Sequence, residues 1–187
     1  ELLKKNFGDG KLGVKVIYHE KNMGKGKAIR SAIENAAGDF CVIQDADLEY
    51  DPADLKKMLA YLEEHSGDVV YGSRFLDTWK VTSLPHFLVN RALTGLTNVL
   101  FGSKLTDMET CYKMVRREVM SGLGLRAERF ELEPEITVKL LKKGYKIPEV
   151  PVSYKGRSFH EGKKIGWKDG VETLWTLIRM RIRGVID

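Results

Sequence analysis

Apolar positions in this chain recur at two spacings, and the switch between them predicts strands and helices in turn. Val14-Lys15-Val16-Ile17-Tyr18 is rich in β-branched and aromatic residues and predicts a strand. Ala28, Ile29, Ala32, Ile33 and Ala36 then fall at helical intervals, a stripe that ends at Gly38. The short apolar run Cys41-Val42-Ile43 predicts a buried strand. Asp51-Pro52 reads as an N-cap with proline in the first helical position of a helix over about 52–65, whose apolar face is Leu55, Met58, Leu59 and Leu62. Asp68-Val69-Val70-Tyr71-Gly72 supplies another strand. Residues 1–6 read as the end of a helix, with Gly8-Asp9-Gly10 as the loop after it. Alternation of this kind predicts a largely parallel sheet with helices on its faces.

After Ser73 the pattern changes. Residues 84–102 predict an apolar helix that carries Asn90, Arg91, Thr94, Thr97 and Asn98, too polar to cross a bilayer but suited to a groove or an interface. Residues 134–143 predict a helix with Pro134 at its start and Gly144 after its end. Residues 147–154 predict a strand placed at a sheet edge by Pro148 and Pro151. Residues 156–170 form a basic loop containing glycine, and from Val171 a helix sets Leu174, Trp175, Leu177, Ile178 and Ile182 beside Arg179, Arg181 and Arg183. No internal repeat is visible.

The 187 residues suffice for one domain with a sizeable core, or slightly more, and the net charge is +5. Excess positive charge suits nucleic acid, an anionic membrane surface or phosphorylated substrates. No zinc-finger spacing, RNA-binding signature or interleaving of aromatic and basic residues favours nucleic acid. Cys41 and Cys111 stand apart with no C-x-x-C, which points to a reducing compartment and no disulfide framework. Neither a leader pattern nor an apolar run of about 18 residues is visible. A protein of the cytoplasm, soluble or peripheral at a membrane surface, is expected.

The candidate chemistry starts where the run Cys41-Val42-Ile43-Gln44 stops at Asp45-Ala46-Asp47. Open α/β sheets bind ligands at the carboxyl ends of their strands. Two acids spaced i, i+2 share a side if the chain stays extended, and hard oxygen ligands suit a divalent metal that also holds diphosphate oxygens. Gly24-Lys25-Gly26 leads into a helix whose N-terminus favours anions, although a glycine entrance to any packed helix looks the same. Arg74 leaves another strand end and offers a planar fork to phosphate.

These segments, N-M-G-K-G-K-A-I-R, D-A-D-L-E-Y-D-P, Y-G-S-R-F, T-D-M-E-T-C-Y-K-M, F-E-L-E-P-E-I and E-V-P-V-S-Y-K-G-R followed by E-G-K-K-I, run in an order that resembles glycosyltransferase family 2, and within it the dolichyl-phosphate mannose synthase-like enzymes. The resemblance implies an α/β fold of GT-A type, a Rossmann-like, mostly parallel sheet flanked by helices. It implies metal-dependent, inverting transfer of a sugar from a nucleotide-sugar donor (GDP-mannose or a UDP-sugar) to a polyprenyl phosphate, dolichyl or undecaprenyl, at the cytosolic membrane face. The nucleobase, the sugar and the oligomeric state stay open. So do two other readings, transfer to a sugar hydroxyl in cell-surface polysaccharide synthesis and a non-catalytic nucleotide-binding module.

Residue by residue, the resemblance implies Mg²⁺ or Mn²⁺ held by Asp45, Asp47 and Glu49, and a donor bound by Lys25, Asp45, Ala46, Asp47 and Arg74. It implies Asp107 as the catalytic base or as an orienting acid, and Arg74, Lys113, Arg157, Lys163 and Lys164 on phosphate or acceptor. Glu131, Glu133 and Glu135 would meet sugar hydroxyls. The family's opening strands, which hold the nucleobase and ribose, have no counterpart before Glu1. The expected organisation is therefore a single domain over 1–187 lacking its first βα units, with a donor and metal half over 1–75, an acceptor half over 76–170 and an amphipathic helix over 171–187.

Overall fold

The computed structural model describes residues 13–77, 84–129, 131–156 and 167–182. In chain order the elements are α1 (Gly24–Glu34), β1 (Phe40–Val42), α2 (Asp54–His65), β2 (Val69–Ser73), α3 (Leu84–Phe101), β3 (Lys113–Arg116), α4 (Arg117–Ser121), α5 (Leu132–Lys142), β4 (Glu149–Pro151) and α6 (Trp167–Ile182). The strands form one sheet in the order β1-β3-β2-β4. β2 and β4 pair in parallel, and β3 lies antiparallel to both β1 and β2. It follows that β1, β2 and β4 point the same way, with β3 threaded between the first two against their direction. The architecture is the α/β arrangement that the sequence predicts, with a mixed sheet.

Alternation along the strands divides the core in two. Val69, Tyr71 and Val115 face a large cluster with Leu93, Ile136 and Leu177 from the helical layer of α3, α5 and α6 and with Met108 from the loop before β3. Val70, Met114 and Val150 face a smaller one with Met58 and Leu62 of α2. Every residue of β2 is buried, as befits a central strand covered on both faces. Proline-bearing β4 lies at the edge, as the sequence predicts.

Two elements differ from the sequence pattern. Residues 14–18 carry no regular secondary structure, no described strand pairs with them, and Val14, Ile17 and Tyr18 are exposed. β-Branched content reports how side chains fit a pleated surface and supplies no ladder partner. Conversely, Lys113-Met114-Val115-Arg116 forms a strand that pattern did not reveal, because charged residues bound a run too short to show a period. The helix expected from Pro52 begins at Asp54. Asp51 Oδ1 accepts the Ala53 N–H at 2.9 Å and so caps a lead-in turn. The expected helical end over residues 1–6 lies outside the described residues.

Asn90, Thr94, Thr97 and Asn98 of α3 face inward, whereas Arg91 is exposed. Asn98 closes the loop beyond the helix, taking Ser103 Oγ at 2.6 Å and the Leu105 N–H at 2.9 Å on its Oδ1 and donating to the Leu105 carbonyl. Thr94 Oγ1 accepts the Met108 N–H at 3.1 Å. The outward face of the same helix carries Leu84, Leu88, Val89 and Val99, all exposed.

The glycines that open α1 serve a close approach of backbone. Gly26 donates to the Glu128 carbonyl at 2.8 Å, and a Cβ there would sit 2.2 Å from the Ala127 oxygen and 2.6 Å from its carbon. A backbone cannot give way as a side chain end can, so Gly26→Ala is expected to lower stability by at least about 2 kcal/mol. Gly95, exposed in α3 with open space around it, is the control. Gly95→Ala should raise stability by about 0.5–1 kcal/mol, because alanine loses less backbone entropy in a helix. Urea denaturation of the two variants measures both.

Candidate functional site

Because β3 runs against its neighbours, the residues that lead into it arrive at the edge where β1 and β2 end. Asp45 follows β1, Arg74 follows β2, and 107–112 precede β3. The helical layer adds Lys25 from the first turn of α1 and Glu133 from α5.

Two linked clusters result. In the first, Lys25 Nζ donates to Asp45 Oδ2 at 2.8 Å and lies 3.3 Å from Glu133 Oε1, and the Cys111 thiol donates to the same Asp45 oxygen at 2.9 Å. Burial would raise the Asp45 carboxyl, but Lys25 and the thiol outweigh it and hold it below the usual carboxylate range. Burial pushes the Cys111 thiol up, which keeps it protonated as a donor. Burial works against the Lys25 ammonium, yet Glu133 and Asp45 keep its affinity for the proton above the ordinary value. Glu133 also takes Lys113 Nζ at 2.6 Å, and Lys113 is wholly buried.

The second cluster is a two-toothed ion pair. Arg74 Nε and Nη2 donate to Asp107 Oδ2 and Oδ1 at 2.6 and 2.7 Å, the Arg74 N–H adds 3.1 Å to Oδ2, and Asn90 Nδ2 adds 3.1 Å to Oδ1. Glu149 on β4 holds the backbone beneath, accepting the Thr106 N–H at 2.7 Å and the Asp107 N–H at 3.0 Å. The guanidinium lies 5.0 Å from the centre of the Tyr154 ring. Burial alone would raise Asp107, and Arg74 reverses this to hold it below the carboxylate range.

The acid loop after β1 leaves the extended path that would set Asp45 and Asp47 side by side. The chain turns at Ala46, which is exposed, Leu48 adopts φ 60°, and Asp47 Oδ1 accepts the Glu49 N–H at 3.2 Å. Glu49 is drawn elsewhere: its Oε2 accepts Tyr154 OH at 2.9 Å and its carbonyl accepts the Lys155 N–H. Among the described residues no three acidic, histidine or cysteine side chains gather as a metal cage, so Asp45, Asp47 and Glu49 do not converge as a trio.

Of the residues expected on phosphate, Arg74 engages Asp107 and Lys113 engages Glu133, while Arg157, Lys163 and Lys164 lie outside the described residues. The three glutamates expected on sugar have partners within the protein. Glu131 Oε1 accepts the Glu128 and Arg129 N–H groups, and Glu135 takes those of Arg126 and Ala127 together with Lys139. Sequence reasoning overlooked Cys111, Asn90, Glu149 and Glu109. Cys111, Glu109 and Glu149 lie within the segments that carry the family resemblance, but the partners of Cys111, Asn90 and Glu149 are well separated from them in sequence. Glu109 is half-buried beside Asp107 and Glu133 with its Oε1 shielded, and its carboxyl is pushed up to about 7, chiefly by desolvation.

The Arg74–Asp107 pair carries a prediction with a pH signature. Arg74→Leu strands a buried carboxylate and should cost about 3–5 kcal/mol at neutral pH. Asp107 has a depressed folded pKa, so its contribution is present above the unfolded value of about 3.9 and is lost as pH falls through the folded value. The deficit of the variant should therefore narrow below about pH 4, measured by urea denaturation across pH.

The profile of the family described as Glycosyl transferase family 2 matches residues 1–124. A dolichol-phosphate mannosyltransferase of Pyrococcus furiosus is 31% identical over 185 residues, 95% of this chain and 51% of that protein. Glucosyl-3-phosphoglycerate synthase from Mycobacterium tuberculosis, in complex with UDP, superposes with a TM-score of 0.63 at 18% identity, covering 95% of this chain and 60% of that one. The same synthase with Mn²⁺, UDP-glucose and glycerol 3-phosphate gives 0.60 at 17%, covering 92% and 58%. The chain thus spans about half the length of the curated relative and somewhat more of the solved structures.

Proposed function

Since the chain belongs to glycosyl transferase family 2, we propose that it carries most of the catalytic domain of an enzyme that moves a hexose, with inversion, from a nucleotide-sugar to a polyprenyl phosphate at a membrane surface. The observation that carries this reading is the convergence of Lys25, Asp45 and the 107–112 segment at one sheet edge, where an α/β fold binds its ligands. The acceptor class rests on the likeness to the dolichol-phosphate mannosyltransferase.

In this reaction an oxygen of the acceptor phosphate attacks the anomeric carbon. The bond from that carbon to the diphosphate breaks, and the nucleoside diphosphate leaves with the electron pair. The acceptor phosphate is already ionised, so no base is required. That suits an Asp107 whose oxygens are occupied by Arg74 and Asn90, and we assign it the role of a positioning residue. Lys25 supplies positive charge on the donor side, and its bond to Asp45 orients that acid.

A divalent cation fits this edge only in part. Asp47 and Asp45 are hard ligands, but the described residues alone form no cage, and Mg²⁺ or Mn²⁺ would draw further ligands from the diphosphate oxygens of the donor, a common arrangement for cations bound with nucleotides. When bound it would neutralise the departing diphosphate. The complex of the related synthase with Mn²⁺ and UDP-glucose supports a divalent ion here.

Membrane attachment is supported by the outward faces of α3 and α6, which are neighbours in the helical layer. Leu84, Leu88, Val89, Val171 and Trp175 are exposed there, with Arg91, Arg179 and Arg181 on the same helices. Apolar side chains among basic ones suit an anionic bilayer surface, each basic residue near it contributing about 1 kcal/mol. No described helix is long and apolar enough to cross a membrane.

Screening GDP-mannose and UDP-sugars with polyprenyl phosphate, using the full-length protein, tests the reading, and absence of lipid-linked product from every donor would sink it. Asp47→Ala should weaken Mn²⁺-dependent binding of the nucleoside diphosphate by about tenfold or more in calorimetry, leaving metal-free binding unchanged. Leu88→Glu combined with Trp175→Glu should reduce cosedimentation with anionic vesicles while the melting temperature holds.

A further inference from the structure

Glu109 Oε1 is shielded from solvent and has no hydrogen-bond partner among the described residues. Around it the other acids are engaged, Asp107 by Arg74 and Glu133 by Lys113. An unpaired buried oxygen carries a desolvation penalty that folding does not recover, and such atoms are rare enough to demand a reason.

We propose that Glu109 binds a hydroxyl group of the hexose carried by the nucleotide donor, an assignment that rests on the glycosyl-transfer reading above. The charged groups facing Glu109 are Lys113, Glu133, Arg74 and Asp107. They form two matched pairs, so no surplus positive charge draws a phosphate to this point. A cation finds no cage of three ligands there among the described residues. A neutral hydroxyl both donates and accepts, and it therefore satisfies the carboxyl in either protonation state. That versatility matters for an acid whose carboxyl is pushed up to about 7 by burial. The terminal torsion of glutamate is broad, so Oε1 turns toward a ligand without a change of rotamer. Glu109 also stands two positions before Cys111, whose thiol bonds Asp45, so it belongs to the segment that meets the acid loop. Glu131 and Glu135 lack this opening because backbone N–H groups occupy them.

The test compares wild type, Glu109→Gln and Glu109→Leu in the full-length protein, with calorimetry of GDP, GDP-mannose, UDP and UDP-glucose in the presence of Mn²⁺. Glu109→Leu should lose about tenfold or more in affinity for the sugar nucleotide that wild type prefers, with the parent diphosphate unaffected, and Glu109→Gln should fall between. Without ligand, Glu109→Leu should melt at or above the wild-type temperature, because the unpaired oxygen is gone. Unchanged affinity for the sugar nucleotide in Glu109→Leu overturns the assignment, as does an equal loss for sugar nucleotide and diphosphate accompanied by a lower melting temperature. A wild-type protein that binds none of the four overturns the glycosyl-transfer reading and, with it, the hexose.

Discussion

The structure depends on one strand running the wrong way. β3 inserts antiparallel between β1 and β2, with Val42 opposite Met114 and Tyr71 opposite Lys113. Had it run parallel, the segment 107–112 would enter the sheet at the amino edge, remote from Asp45. Its reversal brings the acid loop, Arg74 and the threonine- and cysteine-bearing segment to one edge without a long excursion of chain. The hydrogen bonds from Thr110 Oγ1 to the Gly72 carbonyl and from Gly72 N–H to the Tyr112 carbonyl fix this meeting at its narrowest point.

Charge at that edge is abundant yet nearly balanced. Lys25, Lys113 and Arg74 face Asp45, Glu133 and Asp107, each within an ion pair. Buried pairs of this kind contribute little net stability, because desolvation offsets attraction, but removing one member is expensive. They hold side chains in fixed directions. The packing of Gly24 and Gly26 against residues 127–128 serves the same end by fixing where Lys25 starts.

The sequence showed the periodic elements well. The stripes of α1 and α2, the buried β2 and the proline-marked β4 all follow from spacing and turn chemistry, and the order of the motifs was enough to indicate the family. Partnership was hidden. Asp45 and Asp47 were expected side by side because alternation assumes an extended chain, and a turn at Ala46 with Leu48 at positive φ ended that assumption. The polar residues of α3 read as an interfacial face, whereas Asn90, Thr94 and Asn98 point inward to organise residues 103–108. Lys113 was expected on phosphate or acceptor, since nothing in its neighbourhood foretells Glu133 on α5.

The interleaved strand order also sets a timetable for assembly. Phe40 pairs with Arg116 and Tyr71 pairs with Glu149, so two of the three pairings among the described residues skip a strand, and the third, β2 with β3, closes over the whole of α3. Loop closure must precede every one of these pairings, which favours slow folding over the rapid, local route of helical bundles. During synthesis β1 and β2 leave the ribosome long before β3 and β4 exist to cover them. Their apolar faces and open backbone groups are then exposed to chaperones and to aggregation. A layout that gathers distant residues at one edge thus delays the moment at which the chain can protect itself.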